Sequence, residues 1–108
     1  MTKVAPQPAY IAWCTDHPGP ESQRLRKELA QAHFAHIETI MDKIRVAGPV
    51  RDAEGNTIGS MLIFDAESEA EARDLLDRDP YASADIWESV EIRPFLPAAG
   101  AWIGGKIW

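Results

Sequence analysis

The chain has 108 residues, with 17 acidic and 11 basic side chains and a formal net charge of −6. This length suits one domain with a single modest core. An acidic balance without a basic stripe argues against partners such as nucleic acid or an anionic membrane surface. No apolar stretch has the length of a membrane span, and Cys14 is the only cysteine. We therefore expect no intrachain disulfide, no membrane insertion and a cytoplasmic location.

The first 44 residues predict a tail, a strand, a loop and a helix. Residues 1–8 contain two prolines and predict a flexible N-terminal tail. Residues 9–14 are nearly all apolar and predict a central strand. A loop rich in proline and glycine then carries Asp16 and His17. From residue 21 to residue 44, apolar side chains recur at steps of three and four, which predicts one long helix.

Two further strands follow this helix. Residues 45–50 predict a second strand that is bulged or lies at an edge, because Pro49 cannot donate to a sheet ladder. The turn residues between 52 and 56 then reverse the chain. Residues 59–65 are apolar and include β-branched and aromatic side chains, so they predict the third strand.

A capping pattern marks the start of the second helix. Ser68 is followed three residues later by Glu71, so each side chain can satisfy a free backbone amide at a helix start. Pro80 ends this helix and restricts Asp79 to extended backbone. Residues 87–95 alternate weakly between polar and apolar side chains and predict a fourth strand.

The order βαββαβ predicts an α+β, ferredoxin-like fold with a four-stranded antiparallel sheet and both helices on one face. The opposite face needs cover, and a homodimer of the dimeric α+β barrel type supplies it. Residues 96–108 include Trp102 and Trp108, which carry much apolar area. We expect this tail to dock over the cleft or on a partner subunit, within a single domain of residues 1–108.

Several short motifs occur in an order that carries a resemblance to a known family. They are Trp13-Cys14-Thr15-Asp16, Leu25-Arg26 seven residues ahead of Ala32-His33-Phe34, Ala47-Gly48-Pro49, Gly59-Ser60-Met61-Leu62-Ile63, Asp79-Pro80-Tyr81, Glu88-Ser89-Val90-Glu91-Ile92-Arg93-Pro94-Phe95 and Trp102-Ile103-Gly104. Together they resemble the YciI-like (YCII-related) family of small α+β proteins.

The resemblance implies a ferredoxin-like dimer with a His-Asp dyad. The matching residues are His33 and Asp79, with Pro80 fixing the aspartate. Family members with an assigned reaction remove HCl from chlorinated hydroxyquinols without a cofactor. We therefore expect no cofactor and no metal, and a small-molecule substrate.

The resemblance also implies a site that stabilises an oxyanion. Arg26 and Ser60 match its arginine and serine, and Asp16 steadies the arginine. The spacing from Asp16 to the histidine is two residues longer than is usual in the family, so Arg24, a candidate substrate-binding residue, competes with Arg26. Ala30 stands where many members have a second arginine.

The interpretation of His33 and Asp79 as a catalytic dyad competes with structural interpretations of the same two residues. An imidazole bonded to a carboxylate presents its other nitrogen as a base. On sequence alone His33 is more often a hydrogen-bonded core residue and Asp79 a helix cap, and the family resemblance favours the dyad instead. His33 and His36 have helical metal-ligand spacing, with only His17 as a third imidazole. Trp13 and Tyr81 would suit a cavity that binds a flat ring.

Three functions follow from these readings. The first is a small cofactor-independent enzyme that performs elimination, isomerisation or dehydrochlorination on a small cyclic or aromatic substrate. The second is a non-catalytic ligand-binding or accessory module with the same fold. The third is a dimer used for assembly, in which the dyad is a structural hydrogen bond.

Overall fold

The structure, a computed structural model, describes residues 2–108. The main sheet contains β1 (Ala9–Asp16), β2 (Ile44–Arg51), β3 (Thr57–Phe64) and β4 (Trp87–Phe95). The helices are α1 (Pro20–Glu28), α2 (Ala30–Thr39), α3 (Glu69–Asp77) and α4 (Pro80–Ser83). Two short strands, β5 (Ala99–Gly100) and β6 (Gly105–Lys106), form a separate hairpin. Within the described residues, every helix is too short or too polar to cross a membrane.

The four long strands confirm the ferredoxin-like α+β prediction. They form one antiparallel sheet in the order β2-β3-β1-β4, so β1 and β3 are central and β2 and β4 are edges. Pro49 is accommodated because β2 is an edge strand. The strand runs without interruption through Gly48 and Pro49, and its irregular pairing lies near its two ends instead.

The two faces of the sheet have different surroundings. Ala12 and Cys14 of β1 face the helices and join a core that includes Leu62, Phe64 and Ile92. Trp13 lies between them in sequence, so it points to the opposite face and is 46% exposed. We call that opposite face the open face, because within residues 2–108 none of the helices α1–α4 covers it.

The prediction of one helix from residue 21 to residue 44 is wrong. Two helices, α1 and α2, are separated at Leu29, whose φ of −100° and ψ of 6° are not helical. A short 3₁₀ turn, Met41–Lys43, then leads into Ile44, which begins β2. The apolar residues keep their spacing across Leu29, so periodicity alone does not reveal the break.

The loop assignment of Asp16 is also wrong. Asp16 is the last residue of β1 and pairs with Trp87 after a bulge. Its side chain is buried, which the loop prediction did not allow for. Asp16 therefore enters the interior from a strand end.

The predicted helix start at Ser68 is confirmed. The Glu71 N–H donates to Ser68 Oγ at 3.1 Å, and the Glu67 N–H donates to Glu71 Oε2 at 3.0 Å. The helix ends before Asp79, whose backbone is extended as predicted. Pro80 then opens the short helix α4 where the sequence indicated only a turn.

Residues 2–4 lie beside the β5–β6 hairpin near the other end of the chain. The Val4 N–H donates to the Lys106 carbonyl at 2.7 Å, and the Lys106 N–H donates to the Thr2 carbonyl at 2.8 Å. These segments border a concavity of about 760 Å³ on the open face, which also contacts Val46 and Ile63. Trp102 is 85% exposed at its rim.

We predict that Gly59→Ala lowers the free energy of unfolding, measured by urea denaturation. A Cβ at this position would lie 2.3 Å from the Cys14 carbonyl oxygen, and relieving such a clash costs about 1–3 kcal/mol. Gly48→Ala is the matched control, because a Cβ there meets nothing within 4 Å. Equal losses in the two variants would contradict the close approach of β1 and β3.

We also predict that iodoacetamide alkylates Cys14 slowly in the folded protein. Burial, together with the negative charge of Asp79, raises the pKa of the Cys14 thiol to about 12, so the reactive thiolate is scarce at neutral pH. At about pH 8 the urea-unfolded chain should react roughly a thousandfold faster, since a free thiol has a pKa of about 8.5. Mass spectrometry measures both rates, and similar rates would show that Cys14 is accessible.

Candidate functional site

A cavity of about 640 Å³ opens between the helices and the β2–β3 side of the sheet. This volume lies in the usual range for small-molecule sites. Its walls are mostly apolar, and they are formed by Phe34, Ile37, Ala47, Pro49, Leu62, Tyr81 and Trp87. Its polar lining consists of Gln23, Arg26, Lys27, His33, Thr57, Ser60 and Asp79.

His33 and Asp79 lie within hydrogen-bond distance at this cavity. His33 Nδ1 is 2.9 Å from Asp79 Oδ1 and 2.8 Å from Oδ2. An ionised carboxylate only accepts hydrogen bonds, so Nδ1–H donates and the lone pair of a neutral imidazole resides on Nε2. Within residues 2–108, Nε2 has no hydrogen-bond partner. The imidazole therefore has one nitrogen fixed and one available.

Asp79 is held by the turn that Pro80 creates. Its carboxylate is almost fully buried, and Oδ1 also accepts the Tyr81 N–H at 2.9 Å. The extended backbone before Pro80 makes Asp79 the N-cap of α4. Asp79 is thus both a helix cap and the partner of His33.

Arg26 forms a second buried cluster with Asp16 and Ser60. Its Nε donates to Asp16 Oδ2 at 2.7 Å, and its Nη2 donates to Asp16 Oδ1 at 2.8 Å. The same Nη2 donates to Ser60 Oγ at 2.9 Å. Because Ser60 accepts this bond, its own hydroxyl proton is free to be donated. The paired geometry with Asp16 fixes the plane of the guanidinium.

Tyr81 lies between the two clusters. Its ring stacks on the His33 imidazole with centroids 4.0 Å apart and an angle of 7° between the planes. The Arg26 guanidinium carbon is 5.2 Å from the same ring centroid. The Tyr81 hydroxyl donates to the Arg26 carbonyl oxygen at 3.1 Å. Tyr81 is buried, so most of its contacts are with the protein.

Two residues considered for substrate binding lie elsewhere. Arg24 is exposed and pairs with Glu21 and Glu28 along α1. Trp13 lies on the open face, across the sheet from the cavity. Of the two candidate arginines, Arg26 is therefore the one that reaches the cavity.

The three histidines point to different partners. His36 Nε2 lies 3.1 Å from the Leu75 carbonyl oxygen, where it acts as donor and ties α2 to α3. His17 Nε2 lies 3.4 Å from Asp85 on the surface. Only His33 lines the cavity. The spacing of His33 and His36 thus reflects packing against two separate elements.

Other candidate nucleophiles in the neighbourhood are unsuited to the role. The raised pKa of Cys14 keeps its thiol protonated. Burial also raises the pKa of the Tyr81 phenol, so the hydroxyl acts as a donor rather than as a base. Ser60 accepts a hydrogen bond from Arg26, and within residues 2–108 no histidine forms a hydrogen bond with Ser60 to activate it.

Sequence reasoning missed several cavity residues, among them Phe34, Gln23 and Lys27. Phe34 is 53% exposed, and its ring centroid is 5.7 Å from that of His33. Gln23 and Lys27 line the cavity beside Arg26. Gln23 precedes Arg26 by three residues, so helical spacing could have placed it on the same side of α1.

The comparisons with known proteins agree with this fold. A family model described as YCII-related domain matches residues 9–96. Protein YciI from Escherichia coli and Protein YciI from Shigella flexneri are each 30% identical over 94 residues, which cover 80% of this chain and 94% of theirs.

Solved structures with the same α+β fold are also similar to this chain. 5-Chloro-2-hydroxyhydroquinone dehydrochlorinase from Burkholderia phenoliruptrix AC1100, in complex with 2,5-dihydroxybenzoquinone, is similar with a TM-score of 0.74 and 28% identity over 86% of this chain and 96% of its own. A NIPSNAP family protein from Agrobacterium tumefaciens shares the fold alone, with a TM-score of 0.52 and 20% identity over 84% of this chain and 93% of its own. The chain described here belongs to the YCII-related domain family.

Proposed function

We propose that this chain is a small cofactor-independent enzyme in which His33, oriented by Asp79, acts as a general base. Its substrate is a small cyclic or aromatic molecule with an acidic hydroxyl or an activated carbon. The observation that carries the proposal is the hydrogen bond from His33 Nδ1 to a buried carboxylate beside an open cavity.

The proton transfer follows from the chemistry of the pair. Nε2 accepts the proton of the substrate, and the resulting imidazolium is stabilised by the carboxylate of Asp79. Asp79 remains ionised and retains its bond from the Tyr81 N–H. Elimination, isomerisation and dehydrochlorination all begin with such a proton removal. In elimination, the electron pair left behind then expels the leaving group.

The second cluster supplies donors for the negative charge that develops on the substrate oxygen. The free proton of Ser60 and the guanidinium of Arg26 lie on the same cavity. Donors fixed before the reaction need no reorganisation, and losing one such donor costs about 10²–10³ in kcat in a well-studied protease. Asp16 contributes by holding Arg26 in place.

The lining of the cavity favours a flat aromatic substrate. Phe34, Tyr81 and Trp87 supply aromatic surface, and the His33–Asp79 and Arg26–Ser60 pairs line the same cavity. The similar dehydrochlorinase binds 2,5-dihydroxybenzoquinone, a flat ring with acidic hydroxyls. We therefore propose hydroxylated quinones and phenols as the first class of compounds to test.

A specific observation favours the non-catalytic alternative. Asp79 also caps α4, so the bond to His33 would serve a structural purpose even in a ligand-binding module without turnover. The two functions differ in what each substitution changes.

We expect His33→Ala and Asp79→Asn each to abolish most turnover of a substrate identified by screening hydroxyquinols. The double variant should lose little more than either single variant, because the two residues act as a unit. Ser83→Ala, an exposed helical position, is the control.

Thermal melts of the same variants distinguish the enzyme from the non-catalytic alternative. If the pair is structural, removing one partner should lower the free energy of unfolding by roughly 1–3 kcal/mol, because the other partner is left buried and unsatisfied. Large destabilisation in both single variants with unchanged ligand binding would sink the enzymatic proposal.

We further propose that a second copy of the chain covers the open face. Trp13 and Trp102 are exposed there or at its rim, and Ile11, Met61 and Ile63 continue the apolar surface. Contiguous apolar surface of this kind usually marks an interface. A two-fold dimer would place the same face of each chain against the other.

We expect Trp13→Glu to weaken self-association, measured by sedimentation, because it introduces a buried charge into the proposed interface. Gln31→Glu adds the same charge on exposed α2 and should leave association unchanged. Removal of residues 96–108, which include Trp102, should also weaken association. If the wild type and every variant sediment as monomers, the proposal of a dimer is wrong.

A further inference from the structure

The contacts of Tyr81 connect two clusters that have no direct bond to each other. Within residues 2–108, no hydrogen bond or ion pair joins His33 or Asp79 to Arg26, Asp16 or Ser60. Tyr81 contacts both: its N–H donates to Asp79 and its hydroxyl donates to the Arg26 carbonyl. Its ring adds the stack on His33 and the contact with the Arg26 guanidinium.

This connection matters because His33 and Arg26 belong to different helices. The non-helical residue Leu29 separates α1 from α2, so helical geometry does not fix the distance between the two side chains. Tyr81 as a residue is 5% exposed, its ring is rigid, and it is placed by a helix that begins with proline. It can therefore set both orientations at once.

We propose that Tyr81 is a positioning residue that couples the His33–Asp79 pair to the Arg26–Ser60 pair. It fixes the plane of the imidazole through the stack and holds the end of α1 through its hydroxyl and its ring. The catalytic consequence rests on the proposed function, whereas the positioning itself is a property of the free protein.

A role as a substrate acid or base does not fit the same contacts. The hydroxyl of Tyr81 is already donated to a backbone carbonyl, and one face of the ring is covered by His33. Burial also raises the pKa of the phenol. Tyr81 therefore acts through its neighbours.

The test compares substitutions that keep or remove the ring. Tyr81→Phe keeps the stack and the backbone bond to Asp79 and loses only the hydroxyl. Tyr81→Leu removes the ring, and Tyr81→Met is a second ringless variant in case the first does not fold. Phe64→Leu is the matched control. Phe64 is a fully buried aromatic residue of β3, and within residues 2–108 its ring does not pair with the His33 ring.

Two readouts separate the positioning from the function. NMR of the free protein follows the imidazole nitrogens of His33, whose chemical shifts report which nitrogen carries the proton and depend little on ring currents. We expect these resonances to move in the ringless variants, because an imidazole that has lost its orientation shares its proton between the two nitrogens, and to stay in place in Tyr81→Phe and Phe64→Leu. Unmoved nitrogen resonances in a folded ringless variant would overturn the proposal.

Binding of 2,5-dihydroxybenzoquinone, followed by its absorbance, supplies the second readout. We expect affinity to fall about tenfold in the ringless variants, the effect of losing about one well-oriented hydrogen bond, and to fall less in Tyr81→Phe, which loses only the bond to the Arg26 carbonyl. If the wild type fails to bind this quinone while the His33 resonances still move, the positioning stands and the proposed substrate class fails. Equal binding by wild type and ringless variants would overturn the coupling.

Discussion

The negative charge of a buried carboxylate must be balanced by hydrogen-bond donors, and the site depends on which donors balance the charge of Asp79. The Asp79 side chain is only 1% exposed, and an uncompensated charge at such a position would be costly. Within residues 2–108, its two donors are the Tyr81 N–H, which follows from the turn at Pro80, and Nδ1–H of His33. The requirement to satisfy this acid therefore determines the imidazole tautomer and leaves Nε2 as the free base.

Asp16 imposes the same constraint on the other half of the site. It is buried at the end of β1, and both of its oxygens accept bonds from Arg26. Each half thus consists of an acid fixed by backbone geometry and a nitrogen-bearing side chain brought in from a helix. The end of β1 positions Asp16 and the turn at Pro80 positions Asp79, and these two acids position the groups that face the cavity.

The sequence predicts the features that depend on local patterns. The four long strands, the cap at Ser68 and the extended backbone of Asp79 were all found as expected. The break at Leu29 could not be predicted, because the apolar steps continue across it. The choice between Arg24 and Arg26 depends on the burial of Asp16, which a loop assignment conceals. The position of Trp13 follows from strand parity only once the covered face of the sheet is known.

The pairing of charges has a consequence for the proposed chemistry. Arg26 is neutralised by Asp16, so it attracts a fully charged ligand less than a free arginine would, while its N–H groups and the Ser60 proton stay oriented. Lys27, which also lines the cavity, forms no ion pair within residues 2–108. Catalysis requires interactions that strengthen as the reaction proceeds. Donors with little net charge meet that requirement, because they stabilise an oxyanion most when its charge has formed.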